Sequence, residues 1–387
     1  MSRLNISDRR ERALVAMADA LLLPVAVARR LRARPAGPPK RILCFRLERI
    51  GDLLMIAPAL AELRALAPHA SIDLVVGSWN RSIAAAMPEI DRIETLDAAW
   101  LARGRAGTSP IGLAVQSARW WSRRYDLAIN FEPDIRTNIA IAAVGARRTV
   151  GFASGGGGGL LDLALDYDPT SHTTDNARAL VHAALGTTAS APVEWRLKIP
   201  EAHAIEAARL LAPFDGSKTV GIHVSGGRLI KQWPETRFRE VAERLVHDRH
   251  AAIVLTGTPD DRTQINLVRA GLPPERVLDL SGGLDLLTVA AVIERLDLFV
   301  TGDTGPMHLA NAVSTPIVAV FGPSDPARYA PRGPRDIVVR IDLPCSPCNR
   351  IRVPPARCAG HTPDCLAGIE TASVLAAIDD VLRGNEG

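Results

Sequence analysis

Short apolar runs alternate with longer amphipathic stretches along most of the chain. The runs are Arg41–Leu47, Ser71–Val76, Ile93–Leu96, Tyr125–Phe131 and Thr149–Gly151, then Thr219–Val224, Ala251–Thr256, Val277–Leu280, Leu298–Thr301 and Thr315–Phe321. Each is short and bounded by turn residues, the pattern of strands buried on both faces. Between them lie helical stretches, among them Leu53–Ala67 ended by Pro68, Ile135–Val144, Asp175–Leu185, Glu201–Leu211, Pro234–His247 and Leu286–Leu296. Strand–helix alternation of this kind predicts an α/β fold, with parallel sheets covered by helices on both faces. The chain has 387 residues, too many for one ordinary core. Two doubly wound domains are expected, over residues 40–195 and 196–366. A last helix over 367–387 is expected to pack back on the first domain.

Residues 8–34 also read as helical, with a break at Pro24 and an apolar side made of Leu14, Val15, Ala18, Leu21, Leu22 and Val25. Pro35–Pro39 reads as a linker, so residues 1–39 form an extension before the first domain. Charge sharpens this picture. The net charge is +4, but residues 1–41 carry ten Lys/Arg against Asp8, Glu11 and Asp19, which is +7 and leaves the rest at −3. The cationic element is the arm, not a nucleic-acid-binding face on the body. Three readings of the arm stand: an amphipathic segment on an anionic membrane, an extra helix packed on the body, or a signal peptide ending near Ala26-Val27-Ala28. The segment Ser154–Gly159, a serine and five glycines, is expected to be a mobile loop, either a plain linker or a substrate-side loop. No apolar run approaches the roughly 20 residues of a membrane span.

Chemistry-bearing residues gather where strands end. After Leu298–Thr301 come Gly302, Asp303, Thr304, Gly305, Pro306 and His308. Thr304 suits an N-cap and Pro306 a first helical turn, so a helix start with anion-attracting N–H groups is expected there. His308 would lie one turn along on nearly the same side. The loop Ser225–Lys231 supplies glycines, Arg228 and Lys231, a combination suited to a diphosphate. It is not a P-loop, and no Gly-x-Gly-x-x-Gly follows the first strand, which disfavours a dinucleotide-dependent dehydrogenase. In the first domain Gly51-Asp52 opens a helix. Asp52 suits either an N-cap or a general base facing the Asp303 loop.

Taken together and in order, Arg49-Ile50-Gly51-Asp52-Leu53-Leu54-Met55-Ile56-Ala57-Pro58-Ala59-Leu60, Lys231-Gln232-Trp233-Pro234, Gly302–Ala310 and Phe321-Gly322-Pro323-Ser324-Asp325 resemble the bacterial heptosyltransferases of glycosyltransferase family 9. The resemblance spans roughly residues 40–385. It implies the GT-B architecture, two facing Rossmann-like domains with a cleft between them. It also implies an inverting transfer of heptose from ADP-heptose to a lipopolysaccharide core or related surface-glycan acceptor. By motif, Asp52 resembles the catalytic base and Lys231 the lysine holding the donor diphosphate. Asp303 matches the acidic residue near the donor sugar, and Thr304, Gly305 and His308 the phosphate-facing loop. Asp261 falls where the family often has a ribose-binding glutamate. Arg46 and Arg49 are candidates for an anionic acceptor. Catalysis needs no cofactor on this reading, and the enzyme would work in the cytoplasm, peripherally on the inner membrane. The rivals are a transferase using another sugar nucleotide, a non-catalytic nucleotide-sugar binder of the same fold, and a periplasmic binding protein.

Five cysteines remain. Cys44 sits within the first strand as a small core residue. Cys345, Cys348, Cys358 and Cys365, in the Pro-rich loop 344–366, have zinc-ribbon spacing. A structural zinc and reduced thiols or a disulfide are both open.

Overall fold

The computed structural model describes residues 4, 6, 8–30, 37–102, 106–188 and 193–383. Arg3, Arg32 and Arg34 of the cationic arm, and Pro35 and Ala36 of the expected linker, lie outside the described residues. The chain divides into two compact units, residues 1–195 and 196–387.

In the first unit six strands form one parallel sheet: β1 (Arg41–Arg46), β2 (Ser71–Val76), β3 (Arg92–Thr95), β4 (Leu127–Asn130), β5 (Arg148–Phe152) and β6 (Leu163–Leu165). Their order is β3-β2-β1-β4-β5-β6. β1 pairs with β2 from Arg41–Ser71 to Arg46–Val76, and with β4 from Ile42–Leu127 to Phe45–Asn130. The second unit repeats this plan with β7 (Thr219–His223), β8 (Ala252–Gly257), β9 (Val277–Ser281), β10 (Leu298–Gly302), β11 (Ile317–Val320) and β12 (Ile337–Val339), ordered β12-β11-β10-β7-β8-β9. Read from the other edge, that is the same order as in the first unit. Each sheet therefore reverses direction at one place, between β1 and β4 or between β7 and β10. Open α/β sheets bind ligands at the carboxyl ends of strands flanking such a switch point.

The central strands are buried along almost their whole length, which is why they read as unbroken apolar runs. β6 and β12 went unforeseen. They are three-residue edge strands, apolar in sequence but with no fully buried residue, and too short to stand out as apolar runs. The helix Ile50–Leu66 starts three residues before the expected Leu53, so Asp52 lies inside its first turn. This helix is buried nearly all round.

The C-terminal helix, Thr371–Arg383, expected to pack on the first domain, packs within the second unit. Its Val374, Ile378 and Val381 join the core of the second unit with Val318 and Val320 of β11. Its single apolar stripe is used up there. The Ser154–Gly159 segment is not a loose loop. Gly156 and Gly157 adopt φ of +90° and +71°, Asn138 Nδ2 donates to Gly156 O at 2.7 Å, and Asp19 Oδ1 accepts from Gly157 N–H at 2.6 Å. A Cβ on Gly155 would meet Pro133 O at 1.8 Å, so the glycines serve close backbone approach. The arm forms two helices, Arg9–Leu21 and Leu23–Arg30. Only Val15 of its expected apolar side is buried, against Gly156. Leu14, Met17 and Leu21, at i, i+3 and i+7, are 61%, 58% and 76% exposed. The arm thus has an inner face on the first unit and an outer apolar face in solvent.

Candidate active site

At the switch point of the first unit, β1 ends in Arg46 and the chain turns through Leu47, Glu48 and Arg49 into the helix that carries Asp52. Arg46, a candidate for an anionic acceptor, is buried. Its side chain is 4% exposed, against 31% for Asp52. It is spent on the turn: Nε donates to Asp52 O at 3.1 Å, Nη1 to Phe131 O at 2.8 Å, and Nη2 reaches Glu48 Oε2 at 3.1 Å and Asp52 Oδ1 at 3.3 Å. Burial works against its charge, but Glu48, Asp52 and Glu132 together hold the guanidinium above its ordinary range. Asp52 occupies the third helical position, and its Oδ2 accepts from Arg49 N–H at 3.2 Å. Arg49 is the N-cap residue and half-buried. Asp52 is therefore not the N-cap that its position suggested but the capping-box carboxylate one turn in, and it still reaches solvent, as a general base must.

The rest of the turn is held from three sides. Trp79 Nε1 and Asn80 Nδ2 donate to Glu48 O at 2.9 and 2.8 Å. From the end of β4, the buried Glu132 accepts on Oε1 from Leu47 N–H and, at 3.1 Å, from Glu48 N–H. Glu132 was missed from the sequence. The available signal was an acidic residue just past the strand that neighbours β1.

At the switch point of the second unit, the structure brings Lys231 and Asp303 together. Nζ lies 2.6 Å from Oδ2, with the two side chains 21% and 9% exposed. Lys231 ends a short 3-10 turn after β7, and Asp303 follows β10. Gly302 lies against the Lys231 loop, a Cβ at this position falling 3.4 Å from Lys231 O, an ordinary contact. The helix Gly305–Ala312 begins beside them, with Thr304 as N-cap and Pro306 in its first turn. The Thr304 hydroxyl bonds Thr301 Oγ1 at 3.1 Å rather than the helix N–H groups. His308 is buried on that helix. Asp261 is half-buried in a different setting. Its Oδ2 accepts from both Thr258 N–H and Thr258 Oγ1 at 2.7 Å, closing its own turn after β8.

His223, also missed, is the last residue of β7. Its Nδ1 lies 3.0 Å from Thr256 O, and Nε2 lies 3.1 Å from Ser225 Oγ. Burial drives its pKa down to about 4, so the imidazole is neutral at physiological pH. The second switch point therefore offers one ion pair, a neutral ring and hydroxyls, together with helix N–H groups that attract an anion.

The cysteine loop folds onto the end of β11. Ser346 Oγ donates to Gly322 O at 2.8 Å, and Cys348 and Asn349 N–H donate to Pro323 O. All five cysteines are free thiols. Burial, then the neighbouring Cys348, Cys345 and Cys358, push the Cys365 thiol up to about 11. Among the described residues, no group of three or more His, Cys, Asp or Glu side chains is arranged to hold a metal ion.

The family model for glycosyltransferase family 9 (heptosyltransferase) matches residues 94–355, more than half of the chain. The chain belongs to glycosyltransferase family 9. It is a glycosyltransferase with two Rossmann-like domains of the GT-B kind. It is 25% identical over 304 residues to lipopolysaccharide heptosyltransferase 2 of Salmonella typhimurium, covering 76% of this chain and 85% of that protein. Two solved structures share the fold. The E. coli ADP-heptose lipopolysaccharide heptosyltransferase II superposes with a TM-score of 0.74 at 22% identity, over 90% of this chain and all of that one. A family 9 glycosyltransferase from Veillonella parvula gives 0.76 at 24%, over 89% and 98%. Among the described residues, no helix is long and apolar enough to cross a membrane.

Proposed function

We propose that this family 9 enzyme transfers heptose, with inversion, from ADP-heptose to a lipopolysaccharide core or related surface-glycan acceptor. The observation that carries the donor half is the Lys231–Asp303 pair beside the start of the Gly305–Ala312 helix. Lys231 is held ready to meet a diphosphate, and the helix start adds N–H groups to the same anion. Thr304, Gly305 and His308 line that approach, and Asp303 keeps the lysine in place near the donor sugar. Asp261 takes the ribose hydroxyls, in competition with its own turn.

Asp52 is the general base. It takes the proton of the acceptor hydroxyl as that oxygen attacks the anomeric carbon, and the bond from that carbon to the diphosphate breaks. ADP leaves onto Lys231 and the helix start. Positive charge at the leaving group comes from the protein itself, so the reading requires no metal. Arg49 remains the candidate for an anionic acceptor, and Arg46 acts by bracing Asp52.

The similarity to lipopolysaccharide heptosyltransferase 2 and the family match support heptose as the donor sugar. The exposed Leu14, Met17 and Leu21, beside Arg9, Arg10 and Arg12, support a peripheral seat on the anionic cytoplasmic face of a membrane.

Calorimetric titration with ADP, GDP and UDP, beside ADP-heptose turnover on a lipid A–sugar acceptor in chelator, tests this reading. Selective ADP binding with ADP release is expected. A preference for GDP or UDP would replace heptose with another donor sugar. Absence of nucleotide binding by folded protein would remove the donor-site assignment.

A further inference from the structure

Glu132 is a buried carboxyl to which the proposed reaction gives no chemical task. Its place is unusual. It follows Asn130, the last residue of β4, by two positions and lies across the switch point from Arg46. Its backbone is fixed by Asn130, whose Oδ1 accepts from Glu132 N–H at 3.1 Å and whose Nδ2 donates to Thr137 Oγ1 and Asn138 Oδ1. Its Oε1 then collects the N–H groups of Leu47 and Glu48, the two residues joining β1 to the Asp52 helix. Phe131, its neighbour, holds Arg46 Nη1 through its carbonyl. The same guanidinium grips Asp52 at two atoms, O and Oδ1. Two struts thus run from the end of β4 to the turn, one through Glu132 and one through Phe131 and Arg46.

We propose that Glu132 is a positioning residue for the transfer: by anchoring the Leu47–Glu48 backbone it sets how Arg46, which pairs with Glu48, holds Asp52 and so where the base points. The inference rests on the reading of Asp52 as the general base. Preorganisation of this kind matters because a displacement of about 1 Å at a reacting group can cost on the order of 10²-fold in rate.

The charges around Glu132 make the strut sensitive to pH. Burial, then the Glu48 carboxylate, raise its pKa from 4.5 to about 8, against the pull of Arg46 and the Leu47 N–H. Asp134, in its own loop, adds to the rise, and Arg136 on the following helix feels its charge. Tyr167 and Asp52 act on the shared Arg46. At neutral pH Glu132 is protonated. Its ionisation places a further anion beside Arg46, which then divides its charge among Glu48, Asp52 and Glu132. The grip on Asp52 loosens.

The test compares Glu132→Gln with Glu132→Ala in the full chain. Gln keeps an acceptor for both N–H groups and cannot ionise. At pH 7, Glu132→Gln is expected to keep kcat within a few-fold, while Glu132→Ala loses between about 10- and 10²-fold in kcat. The KM for ADP-heptose is expected to stay near the wild-type value in both. Above pH 8 the wild type loses kcat and Glu132→Gln does not. Thermal unfolding supplies an arm that needs no turnover. A carboxyl raised from 4.5 to about 8 holds a proton in the folded state that the unfolded chain has released, so its contribution to stability is full below 4.5 and lost as pH rises to about 8. The wild-type Tm should therefore fall relative to Glu132→Gln between pH 5 and 8.

A folded Glu132→Ala with wild-type kcat would overturn the inference. So would a Glu132→Gln enzyme that keeps the alkaline loss of kcat. If Glu132→Ala does not fold, Glu132→Gln decides alone. Failure of the base reading is recognised separately, by undiminished turnover of Asp52→Asn, and leaves the unfolding result intact.

Discussion

Both units put their chemistry where the strand order reverses, and they fill that place in opposite ways. In the first unit the switch point holds three carboxyls, Glu48, Asp52 and Glu132, around one buried arginine. In the second it holds a lysine neutralised by one aspartate, a neutral histidine and a helix start. On the proposed reading, the same topology yields a place for a base in one unit and a place for an anion in the other. Strand order decides where a site can be. The side chains past the strand ends decide what it does.

The comparison breaks first at Asp52. Asp52→Asn keeps the size of the side chain and removes the base. Turnover is expected to fall by about 10² or more, with ADP affinity unchanged by calorimetry. Equal losses of turnover and ADP affinity would mean that the two units do not divide the work. Lys231→Met is the mirror experiment. Loss of a charged hydrogen bond of about 1.5–3 kcal/mol should weaken ADP binding by roughly 10- to 10²-fold. It also leaves the buried Asp303 without its cation, so a fall in Tm should accompany it, and Asp303→Asn in the same chain should restore part of that loss. Restored Tm with unrestored ADP binding would separate the structural task of the pair from its ligand task.

The smallest expected effect concerns the arm, which docks on the first unit through Val15 and Asp19. Changing Leu14, Met17 and Leu21 to Ser should weaken binding to anionic vesicles by about tenfold, equivalent to ~1.4 kcal/mol of lost apolar contact. Turnover on a water-soluble acceptor should not change. Unchanged vesicle binding would return the arm to the plain role of an extra packed helix.

Much of this was legible in the sequence because it depends on local rules. Buried parallel strands leave continuous apolar runs, so ten of the twelve strands could be read. β6 and β12, short and at the edges, left too little signal. Asp52, Lys231, Asp303, Thr304, Gly305 and His308 could be named as candidates because motif and position at strand ends coincide. The errors arose where a residue's partners lie far away in sequence. Arg46 was read only as a possible acceptor contact, and its partners include Phe131 O, 85 positions on. The glycines after Ser154 looked loose, but Asp19, 138 positions away, bonds Gly157. The Thr371–Arg383 helix carries an apolar stripe, and a stripe does not say which sheet it meets.

The sequence by itself determined the α/β class, the two repeated units and the strand ends at which chemistry could gather, since each follows from periodicity over a few residues. Only the tertiary structure decided that Arg46 is a brace, that Lys231 and Asp303 are one pair, and that Glu132 belongs to the turn of Asp52. Those facts are set by which strand ends become neighbours in a sheet. Burial beside those neighbours then fixes the charge and reach of each group.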